Sequence, residues 1–552
     1  MSRPARQAWL NSYEADVPEA IDPDSFGTLT ELIDLSLACG GDRNAFACLD
    51  ERLTFAELDC QSRALAAYLQ SLALAPDARV AVMLPTVIEY PVALLGIIRS
   101  GCIGVCVNPQ YTAPELEYVL RDSEAEVLIC TDKLVEMAGS MMKSTGLKHV
   151  VVVGRDPSAL LGTADAGLES MAKLHEVLRS AANPTFVPRA IAPSDTALLQ
   201  YTGGTTGASR GAQLSHRNLI ANILQCEAWV RPSLRAFAEE GTLTIGCVLP
   251  LYHIFGLTAC LLLGVRMAAT TVLVANAFDI RGAVAQLSGH RLNMLPAVNT
   301  LFAAMLMDPR FLSFDFSGLR VCIAGGMKLQ PRVSKSWLEV TGCPIAEAYG
   351  LSETAPLACC NPVDGTARSG SIGLPVSSTE VAILDEDARE VPNETIGEIA
   401  IRGPQVMTGY WRNAPDSAKV MTKDGFFLTG DVGTMDAEGF VRIVERKKDL
   451  IIVGGFNVYP TEIDAVVARH EAIADCASFG TSDQSAGEIV NLLVVRKPHV
   501  ELSATEVLMH CRAHLTAYKL PRQIHFVDAI PRTSVGKISR SSLQKLFAVE
   551  FV

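Results

Sequence analysis

Several things are scarce in this chain, and each scarcity closes a class of function. None of its fifteen cysteines forms a CxxC pair, which removes the usual zinc-ribbon and thioredoxin-like frameworks. Cys359 and Cys360 are adjacent in a segment that reads as a loop, and they read as two reduced thiols rather than a redox centre. His510 and His514 have helical spacing, but Cys511 follows His510, so the HExxH zinc pattern fails. No Gly-Lys-Ser/Thr stands at the Walker offset from a glycine-rich loop, so a P-loop NTPase is excluded. Positive charge is in deficit, with 47 Lys and Arg against 60 Asp and Glu. A net charge of -13 repels a phosphate backbone on average and predicts no nucleic-acid partner. Residues 1–23 carry Arg3, Arg6, Glu14, Asp16 and Glu19 in place of an apolar leader segment, and with the unpaired cysteines this predicts a cytoplasmic protein. The longest uncharged stretch, 241–265, is broken by Pro250, Tyr252, His253 and Gly256. A spanning helix needs a continuous apolar run, so this stretch reads as buried strand, loop, then buried helix.

What is present fits a folded enzyme. The 552 residues are 49% hydrophobic and 19% charged, too many for one ordinary core and too apolar for general disorder. A mean hydropathy of +0.25 leaves room for a large apolar pocket or for peripheral membrane contact at the inner face, and nothing in the residues excludes a homodimer.

Apolar runs such as Arg79-Val80-Ala81-Val82-Met83-Leu84 and Val127-Leu128-Ile129-Cys130 alternate with helix-like segments at 58–72 and 114–120. Fully apolar strands between helices predict parallel sheets covered on both faces. A second strand-helix series runs over 196–358, and 162–193 is weakest in pattern. From 370 to 443 the texture changes to short alternating strands with Gly and Asp turns, which predicts a small sheet or barrel. The charge knot Glu445-Arg446-Lys447-Lys448-Asp449 reads as a linker, and for Arg446 to Asp449 the bland alternative is a solvated charge run. Beyond it, strand and helix patterning returns.

The sharpest local signal is Tyr201-Thr202-Gly203-Gly204-Thr205-Thr206-Gly207-Ala208-Ser209-Arg210-Gly211. Glycines let a backbone turn tightly around an oxyanion, hydroxyls donate hydrogen bonds, and a cation neutralises charge; a polyphosphate requires that combination. The same loop contains a literal GxSxG at 207–211, so a serine hydrolase using Ser209 is a remote alternative. Tyr349-Gly350-Leu351-Ser352-Glu353-Thr354 puts an aromatic, a hydroxyl and a carboxylate in one short turn, where a helix N-cap is the plain alternative.

With Pro250-Leu251-Tyr252-His253-Ile254-Phe255-Gly256, Ala324-Gly325-Gly326-Met327, Thr429-Gly430-Asp431 and Pro531-Arg532-Thr533-Ser534-Val535-Gly536-Lys537-Ile538, these motifs fall in one order. In that order the chain resembles the adenylate-forming (ANL) superfamily, and within it the bacterial long-chain-fatty-acid–CoA ligases, over nearly its whole length. The resemblance implies an α/β fold with a large N-terminal domain (1–444) of two parallel-type sheets and a small β subdomain at about 370–444. A hinge at 445–450 and a small mobile α+β lid at 451–552 would follow. It implies ATP phosphates on Thr202, Gly203, Gly204, Thr205, Thr206, Gly207 and Arg210. AMP would lie on Gly325, Gly326, Met327, Ala348, Tyr349, Gly350, Ser352, Asp431 and Arg446, the last two holding the ribose. Glu353 would hold magnesium, and Lys537 would bridge the incoming carboxylate and the α-phosphate. Lys448 is the implied hinge, Gly454, Gly455 and Phe456 line the CoA tunnel, and His253 and Val298 line the acyl pocket. Three positions depart from the pattern: Arg210 replaces the usual Lys, Ala348 a Gly, and Gly454 a Ser. A planar fork in place of a point charge predicts altered nucleotide contacts.

The expected reaction is activation of a medium- or long-chain fatty acid to acyl-AMP, then transfer to CoA. Transfer of the acyl group to a carrier protein or another acceptor is the near alternative. Apolar residues at 254–263 and 295–306, among them Val298, Leu301, Phe302 and Met305, offer a tail-sized lining, with core packing the competing explanation.

Overall fold

The computed structural model describes residues 5–75, 77–154, 171–180, 187–202, 209–453, 456–483, 487–532, 538–540, 542–544 and 547. By packing the chain divides into two units, 1–203 with 209–380 and 402–421, and 204–208 with 381–401 and 422–552.

Two large sheets organise the first unit. One runs Gly409–Tyr410, Arg210–Ser215, Thr196–Thr202, Ile103–Cys106, Arg79–Met83, Ala125–Thr131, His149–Val153, Met171–Lys173 in spatial order. It is parallel from Thr196–Thr202 onward and antiparallel at its Arg210–Ser215 edge. Val80, Ala81 and Val82 are fully buried, which is why this strand shows no polar alternation: helices cover both faces. The other sheet has parallel strands Thr270–Leu273, Thr244–Cys247, Met294–Ala297, Val321–Ala324 and Ile345–Gly350 at its centre. Antiparallel Leu357–Cys360 and Leu374–Pro375 extend it beyond Ile345–Gly350, so Cys359 and Cys360 lie in a strand and not in the expected loop.

Local signals explain the helices. Phe55–Ser71 starts on a capping box in which Thr54 and Glu57 satisfy each other's backbone N–H, and His216–Glu239 starts on the same device from Ser215 and Asn218, removing orphan donors at each N-terminus. The uncharged stretch at 241–265 resolves as expected. Strand Thr244–Cys247 leads through a loop to Ile254–Gly256, a π-helical turn at Leu257–Leu262, and Leu263–Arg266. Among the described residues no helix is long and apolar enough to cross a membrane. All fifteen cysteines carry free thiols, and all but Cys39 and Cys60 are buried.

In the second unit, strands Glu380–Leu384, Gly397–Arg402, Phe427–Met435 and Val441–Arg446 form a small sheet, as the Gly- and Asp-punctuated texture predicts. The remainder is α+β. Ile473–Asp483 pairs antiparallel with Gly487–Arg496 over a core of Val458, Ile463, Val467, Leu492 and Val507. Reading the charge knot as a linker fails at its first residue. Glu445 lies in the strand Val441–Arg446, is 3% exposed, and accepts from the Thr461 N–H at 2.7 Å. The Arg540 guanidinium lies 3.5 Å from it, 2.8 Å from Asp464 and 3.8 Å from Asp449. A buried carboxylate needs such partners, and they come from 16 and 95 residues away.

Candidate active site

The proposed phosphate loop joins two antiparallel strands. Thr202 and Arg210 are register partners at the end of the pair Thr196–Thr202 and Arg210–Ser215; Gly203, Gly204, Thr205, Thr206 and Gly207 lie outside the described residues, as does the side chain of Thr202. This connection overturns the hydrolase reading. A nucleophile elbow passes from strand to helix, whereas Ser209 leads directly into a second strand. The two ends of the loop are anchored by phenols. Tyr201 donates to Asp122 at 2.6 Å, and Tyr118 donates to the Ser209 carbonyl at 2.8 Å.

Arg210 lies with its guanidinium 5.1 Å from the centre of the Tyr410 ring and 3.5 Å from Asp416. The Tyr410 hydroxyl donates to Glu353 Oε1 at 2.9 Å. Burial first, and the Glu353 charge second, push the phenol of Tyr410 well above its ordinary pKa, so it remains the donor. Glu353 sits in the 3-10 turn Ser352–Thr354, and its carbonyl accepts from Met407 N–H at 2.8 Å. Neither Tyr410 nor Asp416 carries a sequence signal of its own. A Gly-Tyr at a strand end is common, and only the pairing of Gly409–Tyr410 with Gln213 and Ala212 brings the phenol to the loop.

Tyr349 is 8% exposed at the end of strand Ile345–Gly350. Gly350 is obligatory: a Cβ there would stand 1.9 Å from the Pro356 carbonyl oxygen, because the chain folds back and Leu351 N–H donates to that same oxygen at 3.1 Å. Asn222, fully buried, pins the returning strand by donating to the Leu357 carbonyl at 2.8 Å and accepting from its N–H at 3.1 Å. Gly326 has φ +78°, and Met327 follows it after the strand Val321–Ala324. The far end of that loop is held by Glu347, which accepts from Leu329 N–H at 3.3 Å and Gly370 N–H at 3.0 Å. Burial raises the Glu347 pKa above the usual carboxylate range. Ala348 is half-buried, paired with Cys360 across the antiparallel edge.

The apolar side of the site begins at Phe255. A Cβ at Gly325 would meet the Phe255 ring at 2.9 Å, so the two are in contact. Phe255 also lines an apolar cavity of about 30 Å³ with Trp229, Val230, Ala259, Leu263 and Met294. The π-helical turn supplies Ala259, and its Thr258 hydroxyl donates to the Ala355 carbonyl at 2.9 Å; an inserted residue of this kind recurs at functional sites. His253 is half-buried, and its Nδ1 accepts from Phe255 N–H at 3.2 Å, fixing the start of this segment. Val298 lies beside Gly326, its Cγ1 at 3.8 Å from where a Cβ would be. Phe302 and Met305 do not line the cavity. They are fully buried with Trp337 and Phe311 in the general core, so core packing is the right account of those two.

In the second unit Asp431 and Arg446 are directly opposed across antiparallel strands, with Arg446 Nε 3.0 Å from Asp431 Oδ1. Lys448 falls in the 3-10 turn Lys447–Asp449, and Phe456 opens the strand Phe456–Val458. Gly454, Gly455 and Lys537 lie outside the described residues.

Known proteins carry the same pattern. The family described as AMP-binding enzyme matches residues 35–411, and its C-terminal domain matches 462–537. A long-chain-fatty-acid–CoA ligase of Escherichia coli O6:H1 is 41% identical over 555 residues, 98% of each chain. The crystal structure of ATP-bound MatB from Rhodopseudomonas palustris superposes with a TM-score of 0.84 at 27% identity, covering 95% of this chain and all of that one. The anthranilate CoA ligase AuaEII in complex with anthranoyl-AMP superposes with a TM-score of 0.83 at 25% identity, covering 97% and 99%. The α/β fold is that of these adenylate-forming enzymes.

Proposed function

Since the chain belongs to the family of AMP-binding enzymes, we propose that it is a fatty-acid–CoA ligase. It converts a medium- or long-chain fatty acid and ATP to acyl-AMP and pyrophosphate, and then passes the acyl group to CoA. The observation that carries the acyl part is Phe255, which touches Gly325 on one side and a wholly apolar cavity on the other. The cavity's 30 Å³ is small beside the roughly 300–1,000 Å³ of ordinary ligand pockets. A tail therefore enters by displacing side chains, with Phe255 and the π-helical turn the first to move.

The first step sets a carboxylate anion against a polyanion, so its barrier is electrostatic and geometric. Arg210 and the 202–207 loop neutralise and hold the β- and γ-phosphates. Tyr349 stacks on the adenine, the loop at 325–327 admits it closely at Gly326, where only Val298 Cγ1 at 3.8 Å stands near a Cβ position, and Asp431 with Arg446 holds the ribose hydroxyls. Lys537 bridges the fatty carboxylate and the α-phosphate. One carboxylate oxygen bonds to the α-phosphorus as the bond to the bridging oxygen of pyrophosphate breaks. Water is kept from the mixed anhydride.

Glu353 fits a magnesium site: magnesium takes one or two carboxylates and leaves its other positions to phosphate and water, and among the described residues no cluster of three acidic, His or Cys ligands competes for it. Bound there, the ion would supply positive charge to the phosphate oxygens. In the second step the CoA thiol attacks the acyl carbonyl and AMP leaves. The chain pivots at Lys448 between the two steps, exchanging Lys537 for the 454–456 loop that lines the CoA tunnel. The reaction takes place in the cytoplasm, with peripheral contact at the inner face of the membrane supplying poorly soluble acids.

AMP release measured over a chain-length series, with and without CoA, tests the proposal. Steady AMP formation that needs both fatty acid and CoA is expected. Turnover that ignores CoA but continues with a carrier-protein thiol would favour the acyl-AMP ligase reading, and no AMP with any acid would reject both.

A further inference from the structure

Four residues from three segments distant in sequence converge at the exit of the phosphate loop. Glu353 accepts the Tyr410 phenol at 2.9 Å. The guanidinium of Arg210 is 5.1 Å from the same ring, within the range of cation–π attraction. Asp416 lies 3.5 Å from that guanidinium. We propose that Tyr410 is a positioning residue that sets the metal-holding carboxylate of Glu353 and the phosphate-holding cation of Arg210 at a fixed separation. The proposal rests on the roles assigned to Glu353 and Arg210 above.

The phenol is suited to this because its own backbone is fixed independently. Tyr410 N–H donates to the Ser417 hydroxyl at 2.8 Å, and that hydroxyl donates to the Asn413 carbonyl at 2.8 Å. Tyr410 pairs with Ala212, and Trp411 N–H donates to the Gly211 carbonyl at 2.8 Å, so the segment is stitched to the strand that Arg210 begins. On its other side Met407 N–H holds the Glu353 carbonyl at 2.8 Å. Tyr410 is buried, 7% exposed as a residue, so its rotamer is confined. It has two functional parts. The hydroxyl restrains one carboxylate oxygen, and the ring face supports a planar cation.

The ring face also accounts for the departure at Arg210. A guanidinium is flat, weakly hydrated and stacks on aromatic rings, whereas an ammonium is a strongly hydrated point charge. In this chain the arginine has a ring to lie on and a carboxylate, Asp416, to align its fork.

The test separates the two parts. Manganese(II), standing in for magnesium, is titrated into enzyme with α,β-methylene ATP and followed by electron paramagnetic resonance. Nucleotide affinity without metal is measured by calorimetry. Tyr410→Phe keeps the ring and removes the hydroxyl. It is expected to raise the half-saturating manganese concentration about tenfold, the worth of one hydrogen bond to a charged group, and to leave metal-free nucleotide affinity within about twofold. Tyr410→Leu removes the ring as well and is expected to weaken metal-free nucleotide binding too, by about threefold or more, the worth of an exposed cation–π contact. In a Glu353→Gln background, Tyr410→Phe should add nothing, because coupled residues are not additive. A folded Tyr410→Phe variant with an unchanged manganese titration would overturn the proposal, and so would full additivity with Glu353→Gln. If the unmodified enzyme forms no AMP from fatty acids, the function above falls, while the manganese titration still decides the role of Tyr410.

Discussion

Asp431 and Arg446 face each other across two adjacent antiparallel strands, carboxylate to guanidinium at 3.0 Å, with the Asp431 side chain only 4% exposed and that of Arg446 42% exposed. The buried member is oriented by the strand and by its partner, and the exposed member is reachable by a ligand. Asp431→Asn keeps the shape but replaces an acceptor pair with one acceptor and one donor. We expect the KM for ATP to rise about tenfold or more, since hydrogen bonds to a charged group contribute roughly 1.5–3 kcal/mol, with the KM for fatty acid little changed. Initial-rate kinetics with each substrate varied checks this, and an equal rise in both constants would argue against a ribose contact.

Gly350→Ala is expected to be severe. The new methyl would lie 1.9 Å from a backbone oxygen, that of Pro356, which has no rotamer through which to yield. Overpacking of this kind costs about 1–3 kcal/mol or more, and the strain falls on the turn that carries Ser352 and Glu353. Gly342→Ala is the control. Gly342 caps a helix at φ +70° with nothing within 4 Å of a Cβ, so it should lose about 1 kcal/mol and keep its activity. Urea denaturation and AMP release measured on both variants distinguish the effects; similar behaviour of the two would contradict the steric account.

Ala259→Leu fills the apolar cavity. If the acyl tail extends past Phe255 into this space, kcat/KM for palmitate should fall about tenfold or more, the effect of about 1.4 kcal/mol lost in the transition state. Octanoate should be spared. A parallel fall for both acids would place the tail elsewhere.

A pH effect on stability follows from His216. It is 3% exposed, its Nδ1 accepts from Leu29 N–H at 3.3 Å, and burial pushes its pKa down from about 6.5 to about 4. The folded protein keeps this imidazole neutral where the unfolded chain would protonate it. Its contribution to stability is therefore complete above pH 6.5 and is lost as the pH falls to about 4, roughly 3 kcal/mol in all. His216→Gln cannot titrate. Thermal midpoints from pH 7.5 to 4.5 should fall less steeply in that variant than in the unmodified protein, and parallel curves would show that His216 is not the group responsible.

Much of this was legible in the residues alone, for identifiable reasons. Strands buried on both faces, such as Arg79–Met83, announce themselves as unbroken apolar runs, and glycine loops at strand ends announce close approach. Asp431 and Arg446 were each marked by a neighbouring motif, although their direct pairing depends on a strand register that no local pattern states. Tyr410 was invisible because its meaning comes from Glu353, 57 residues away, and from Arg210, brought beside it by edge pairing. Glu445 reads as linker because no local pattern shows that Thr461 and Arg540 fold onto it. Phe302 and Met305 are the open case: apolar residues near a pocket motif are equally good core, and Phe302 packs on Trp337 in a core that Met305 shares.

The route of one oxygen atom tests the whole scheme most directly. Fatty acid labelled with oxygen-18 in both carboxylate positions is turned over with ATP and CoA, and the products are weighed by mass spectrometry. An adenylate route predicts one labelled oxygen in each AMP and none in pyrophosphate. Label in inorganic phosphate, or AMP without label, would contradict it.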